Sequence, residues 1–394
     1  MPPIVTEWLD LILRWIHVIA AIMWIGDSFL FMWLDSSLSR PAAGRPGTAS
    51  GEIWLTHSGG FYEVVKHRTL AALPKPLYWF MWQSYSTWIT GVLLLLVVFG
   101  LGGRAMLLDI SSPLPHGAAL GIVLGGLIAG VAVYEALCRV PGLVGWRLWI
   151  PGLPLIAASA FALTQVFTPR AAFLISGAVL GTIMAANVFH VIIPGQRQMV
   201  AATREGREVD PAPGVRAKER STHNHYLTLP VLALMLSNHF PSLYGHAHAW
   251  AALALLVVAG AGLKLVMNMR QRTPAAAWAA TLAAIGAIAL LTAPPGEARA
   301  VRALAAHSPV SDAAAQAIVQ MRCVTCHASR PSHPSFPAAP GGVTLEQADE
   351  MRAWSERILL RVVETRTMPL GNVTEMTEEE RATLGAWAYQ QRAR

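Results

Sequence analysis

Residues near the end of the chain have the types and spacing of a porphyrin attachment site. Cys323-Val324-Thr325-Cys326-His327 spells C-x-x-C-H, the attachment signature of a c-type haem. Two thiols two residues apart on one helical turn reach both vinyl groups of the ring, and His327 serves as the proximal iron ligand. A Cys-x-x-Cys pair alone is shared with zinc and thiol-redox sites. Here a histidine follows directly, and no second cysteine pair exists to complete a zinc tetrahedron. The third cysteine, Cys138, lies in an apolar stretch and reads as buried filler. The iron needs a second axial ligand, and Met368, fixed by Pro369 in a loop, is the expected one. Met376 and Met351 are the alternatives, and any single Met is also readable as core filler.

Three helices must position these groups. Ser311 caps the first, whose Ala-rich body runs to Met321. Leu345 to Thr365 reads as an amphipathic second helix. Thr377-Glu378-Glu379-Glu380 is a capping pattern that opens a last helix ending near Gln391. This is the plan of a small class I cytochrome c domain over 306–394, joined by a linker at 295–305 to whatever precedes it.

What precedes it is apolar. Of 394 residues, 54% are hydrophobic and 13% charged, about half the ~25% charge of ordinary soluble domains. The apolar residues sit in long blocks before residue 294. They predict eight membrane spans, at about 8–34, 77–101, 117–138, 147–168, 171–194, 222–241, 246–268 and 275–293. The expected fold is therefore all-α: a polytopic helix bundle over 1–294, then the haem domain. The net charge of +7 belongs to loops, and no basic patch interleaved with aromatics points to nucleic acid. The predicted inner loops carry fifteen Lys and Arg: Arg40, Arg45, Lys66, Arg68, Lys75, Arg139, Arg147, Arg197, Arg204, Arg207, Arg216, Lys218, Arg220, Arg270 and Arg272. The outer loops carry two, Arg104 and Arg170. By the positive-inside rule both termini are periplasmic, on the outer face of a bacterial inner membrane, where haem c is attached. No basic leader precedes the first span, which reads as a retained helix.

Polar groups inside the spans fall into two tiers. Asp10, Arg14, His17, Trp24 and Ser28 share one face of the first span, with Asp27 beside them. Asp10 and Arg14 fit an interfacial ion pair. His17 lies about 14 Å along the helix from residue 8, and fits either a haem ligand or a hydrogen-bonded core histidine. Toward the inner face lie Lys66, His67, Gln83, His190, Gln196, His223, Asn224 and Thr228, with His57-Ser58-Gly59-Gly60-Phe61-Tyr62 in a long loop. Glycines there let backbone N–H groups approach a ligand, and Phe61 and Tyr62 can stack a planar ring. The same stretch also reads as a re-entrant packing turn. Toward the outer face lie His17, Asn238, His239, His246 and His248. Two histidines on different spans at equal depth are the minimum for a second, b-type haem, and His17 with His239 or His246 is the candidate set.

The order of these motifs resembles the membrane-bound urate hydroxylases. The resembling residues are Trp15 to Gly26, His57 to Tyr62, Asn187-Val188-Phe189-His190-Val191-Ile192-Ile193-Pro194-Gly195-Gln196, His223 to Pro230, Ser237 to Pro241, and the haem segment with Met368 to Asn372. The resemblance covers nearly the whole chain. It implies an oxidoreductase that converts urate to 5-hydroxyisourate in purine catabolism. Electrons would pass through haem c to a downstream cytochrome c or terminal oxidase. Urate is a planar anion that suits aromatic faces, amides, histidines and cations. On residue chemistry, His190 or His223 is the candidate base, Lys66 or Arg68 holds the anion, and Phe61 or Tyr62 stacks it. Asn187, Gln196 and Asn224 complete the binding set. The rival class is a non-catalytic cytochrome b/c subunit that carries electrons from quinol to an oxidase and is indifferent to urate.

Overall fold

The computed structural model describes residues 3–44, 48–68, 70, 72–269, 273–293, 301, 309–334 and 336–391. Arg45, Arg270, Arg272 and the linker at 295–305 apart from Val301 lie outside the described residues.

All eight apolar stretches are helical. In chain order they form α1 (Pro3–Ser37), α2 (Trp82–Leu95), α3 (His116–Cys138), α4 (Trp149–Val166), α5 (Pro169–Ala186), which continues through a π turn into α6 (Ile193–Arg204), and α7 (Ala212–Leu236). A short α8 (Pro241–Tyr244) leads to α9 (Ala249–Met269) and α10 (Ala275–Leu291). Six of the segments are long and apolar enough to cross a membrane, which marks a membrane protein. The expected sixth and eighth spans are not among those six. α7 opens with Arg216, Lys218, Glu219 and Arg220 ahead of its apolar half, and α10 is short at 17 residues. Large apolar side chains such as Ile128 and Leu290 point outward, 73% and 79% exposed. An apolar outer surface of this kind needs a lipid environment. α5 is the central helix, with ten buried residues, and it packs against α3, α4 and α7.

The all-α expectation fails in the loop after α1. Ala49–His57 (β1) and Gly60–His67 (β2) form an antiparallel hairpin in which Leu55 pairs Tyr62 and His57 pairs Gly60. Ser58 and Gly59 both have positive φ, at 51° and 74°. That is the two-residue turn whose twist matches a hairpin, and Gly59 accommodates it without strain. The glycines thus build a turn, and Phe61 stands 81% exposed. The hairpin is tied to the end of α1 by the Ser39–Glu52 bridge and by Lys66, which pairs with Asp35.

The C-terminal part has its own apolar core, in which Met351, Leu384 and Trp387 are fully buried. Its helices are α11 (Asp312–Arg322), α12 (Ala348–Ala353), α13 (Ser355–Ile358) with a π turn to Glu364, and α14 (Glu378–Gln391). The capping signals act as their residue types require. Ser311 Oγ accepts from the Ala314 N–H at 3.2 Å, and Thr377 and Glu380 exchange backbone-to-side-chain bonds at 2.7 and 3.2 Å. The segment expected as one helix over 345–365 is broken at Trp354 into α12 and α13.

Glu380 also pairs with Arg322 at 3.0 Å. Burial works against its charge, but the Thr377 backbone N–H and the Arg322 guanidinium outweigh that and hold the carboxyl below the ordinary glutamate range. A depressed carboxyl contributes stability above its unfolded pKa of about 4.3, which is lost as pH falls through the lower folded value. Acid titration of Trp387 fluorescence is expected to show this loss, and Glu380→Gln to remove that part of the acid sensitivity.

Two glycines dock the C-terminal part on the helix bundle. Gly371, at φ +55°, lies so close that a Cβ would stand 2.9 Å from the Leu108 carbonyl oxygen, and its own carbonyl accepts from the Ile110 N–H at 2.9 Å. Gly245 lies directly against Thr365, where a Cβ would overlap both the Thr365 Cβ and its carbonyl.

Candidate functional site

The docking leaves a partly open cavity of about 1150 Å³ between the two parts, somewhat larger than the usual ~300–1,000 Å³ of small-molecule and cofactor sites. Cys323, Cys326, His327 and Met368 all line it. His327 follows Cys323 by one helical turn, its N–H bonding the Cys323 carbonyl at 2.9 Å. Its ring Nδ1 pairs with the Val343 carbonyl at 2.9 Å. A backbone partner on one ring nitrogen is the arrangement that fixes a metal-ligating imidazole and frees Nε2. Burial, reinforced by Cys326 beside it, pushes the Cys323 thiol up to about 12, and burial raises Cys326 as well. Both therefore stay protonated near neutral pH, unlike a reactive thiolate pair.

Met368 is positioned by a buried arginine. Arg381 donates to the Met368 carbonyl at 2.7 Å, to the Val362 carbonyl at 2.8 Å and to Asn372 Oδ1 at 3.2 Å. Of the three methionines considered, Met368 lines the cavity, whereas Met351 and Met376 are buried in the apolar core. The bundle contributes the opposite wall. Arg170, in the first turn of α5, donates from Nε to Asn238 Oδ1 and from Nη1 to Met106 Sδ at 3.7 Å. Tyr244 Oη donates to the Asn238 carbonyl at 3.4 Å. His246 also lines the cavity, and neither of its buried ring nitrogens reaches hydrogen-bond geometry, although the Leu243 backbone is near.

The other end of the bundle holds two polar clusters. In the first, Asn187 Nδ2 donates to Tyr134 Oη and to Asn224 Oδ1, both at 2.9 Å, and Tyr134 Oη pairs with His223 Nδ1 at 2.8 Å. Arg220 reaches Asn187 Oδ1 at 3.3 Å and Glu135 at 3.0 Å, with its guanidinium 5.0 Å from the centre of the Tyr134 ring. The π turn over Asn187–Ile192 aims Asn187 inward here, and such bulges often sit at functional positions. His223 Nε2 is buried without a partner. In the second cluster, His225 joins Ser28 at 3.3 Å to Asn268 at 3.1 Å, and Lys264 sits 3.0 Å over the Phe29 ring. Asn187→Ala would strip partners from Tyr134, Asn224 and Arg220. Each unsatisfied buried group costs about 1–3 kcal/mol, so a clearly lowered thermal midpoint in detergent is expected.

The structure thus brings together Asn187, His223 and Asn224, and separately Cys323, Cys326, His327 and Met368. Of the other candidates it adds only His246, which lines the cavity of the second set. His190 and Gln196 are exposed on the far side of the π turn, with Phe189 against the His190 ring at 4.9 Å. Phe61, Tyr62, Lys66 and Arg68 lie exposed on or just after the hairpin. His17 bonds the Thr87 carbonyl at 3.0 Å and Thr90 at 3.2 Å, His239 is exposed, and neither lines the cavity that His246 enters. Asp10 and Arg14 form the expected pair at 2.7 Å. Arg170, Tyr134, Arg220 and Lys264 were not singled out from the sequence. Two carried a signal: Arg170 in a helix first turn, where the dipole disfavours a cation, and Lys264 deep in an apolar span.

No curated protein and no solved structure matches the chain. A family model described as urate oxidase N-terminal matches residues 3–293. That range runs from α1 to the end of α10 and includes Arg170, Asn238 and His246. It makes the protein an oxidoreductase of urate oxidation, and the chain belongs to the urate oxidase N-terminal family.

Proposed function

We propose that this protein oxidises urate to 5-hydroxyisourate and passes the electrons through a c-type haem to the respiratory chain. Residues 306–394 are the cytochrome c domain, on the outer face of a bacterial inner membrane. The observation that carries the reading is the shared cavity: the attachment residues Cys323, Cys326, His327 and Met368 face the family-matched bundle across it. The residues present fit the group. Both thiols open into the cavity with His327, whose Nδ1 is already held by Val343, and Met368 stands on the same wall under the grip of Arg381.

Cys323 and Cys326 would attach the ring, His327 would be the proximal ligand and Met368 the distal one. A haem so bound accepts one electron at a time. The overall conversion is urate plus water to 5-hydroxyisourate, two electrons and two protons. The chain must hold the planar anion, admit one water and take up protons. A downstream cytochrome c or terminal oxidase is the expected final partner.

An anaerobic visible spectrum of solubilised protein before and after urate tests this. Reduced c-type bands on urate addition are expected. Full reduction by a quinol analogue with no response to urate would replace the proposal with the electron-carrier reading.

A further inference from the structure

We propose that urate binds at the end of the bundle that faces the C-terminal part, held by Arg170, Asn238 and His246 beside the haem. This rests on the functional reading above, and it departs from the far-end residues that the sequence favours.

Three observations point to this wall. First, both nitrogens of the His246 ring are buried without a hydrogen bond of good geometry, the Leu243 backbone being the near neighbour, and a buried polar group left unpaired is costly. A neutral imidazole offers one donor and one acceptor, so a ligand presenting both would settle it. Second, Arg170 spends two of its N–H groups, on Asn238 and Met106, out of the five a guanidinium carries. It forms no ion pair among the described residues. It also sits in the first turn of the 18-residue α5, whose dipole already favours an anion there. Arg361 lines the same cavity. Third, the Asn238 side-chain oxygen is taken by Arg170, which turns its amide N–H groups to other acceptors.

Together these supply donors for a carbonyl-rich anion and one acceptor for an N–H. Urate has both along its edge. A haem propionate is an anion too, but it has acceptors only and would leave the His246 acceptor unused. Position decides in the same direction. His223 stands thirteen residues before the end of α7 at Leu236, about 20 Å at 1.5 Å per residue. Electron transfer through protein falls off exponentially with distance, so oxidation at the far clusters would need an intervening carrier, whereas oxidation beside the haem needs none. A smaller far-end cavity of about 320 Å³ beside Trp79, Arg197 and Arg204 has the same handicap. In the proposed site His246 accepts the proton of the urate ring N–H that it binds, and the water that adds to the ring gives up its own O–H proton to solvent, which accounts for both protons released. The new bond is C–O, and the two electrons leave through the haem for the respiratory acceptor.

The test is equilibrium dialysis of radiolabelled urate against anaerobic, dithionite-reduced holoprotein, in which binding is read without turnover. Arg170→Gln and His246→Gln are each expected to weaken urate binding tenfold or more at unchanged haem content, and Arg170→Lys to recover part of it. Unchanged affinity in both Gln variants would overturn the proposal, and a displaced haem midpoint potential alongside it would assign these groups to the haem. So would a loss in Arg197→Gln without one in Arg170→Gln. Wild-type protein that neither binds urate nor is reduced by it would defeat the functional reading itself, an outcome distinct from these.

Discussion

A chain carrying Cys323→Ala and Cys326→Ala is expected to lose covalent haem completely, and with it every urate-dependent spectral change. The thiols are the only covalent anchors the cavity offers, because Cys138 lies on α3 at the opposite end of the bundle. His327 and Met368 would remain, but a porphyrin held by axial ligands alone dissociates during purification. The membrane part should be spared, since its apolar clusters share no residue with the C-terminal core. The measurement is haem stain on a denaturing gel beside circular dichroism of the purified protein. Covalent haem retained without both cysteines would sink the attachment assignment.

The second large effect is expected from the docking glycines. Gly371→Val must place a β-branched side chain at φ +55°, in a region such residues avoid, and drive it against the Leu108 and Ala105 carbonyls. Gly245→Val drives its side chain into Thr365. Backbone on both sides cannot yield as a flexible side chain would, so the C-terminal part should separate from the bundle. Reduction of haem by urate in stopped flow is expected to slow at least 100-fold while reduction by dithionite stays fast. Gly286→Ala, at a position with nothing within 4 Å, serves as the control and should leave both rates unchanged. Urate reduction at the wild-type rate in both Val variants would mean that this contact does not set the electron path.

The motif and the caps of the C-terminal part were legible because they are local. C-x-x-C-H occupies one helical turn, and the caps at Ser311 and Thr377 act within three residues. The apolar stretches were legible for the same reason, as runs of composition. The hairpin was missed because Ser58-Gly59 is a weak turn signal inside a stretch whose glycines also suit a ligand loop. The polar clusters were only half legible. His223, Asn224 and Asn187 stood out as polar residues in apolar helices, yet of the two that join them Tyr134 drew no reading and Arg220 was counted as a loop charge. Arg170 looked like one of two outer charges. What it faces depends on how α5, the loop after α7 and the C-terminal part meet, and no local pattern encodes that meeting.

The docked arrangement also has a kinetic meaning. The bundle and the C-terminal part belong to one chain and meet across one cavity, so if they act as electron donor and acceptor, as proposed, their encounter is intramolecular. The effective concentration of one for the other is on the order of millimolar or above even with flexible tethers, and a docked contact no longer depends on diffusion. The first electron step should therefore be indifferent to enzyme dilution and to competing soluble cytochromes. Diffusion enters later, when the next carrier collects an electron. On the proposed reading, that carrier would meet a domain whose Cys323–His327 cleft is already turned toward the bundle, and it would have to dock on another face.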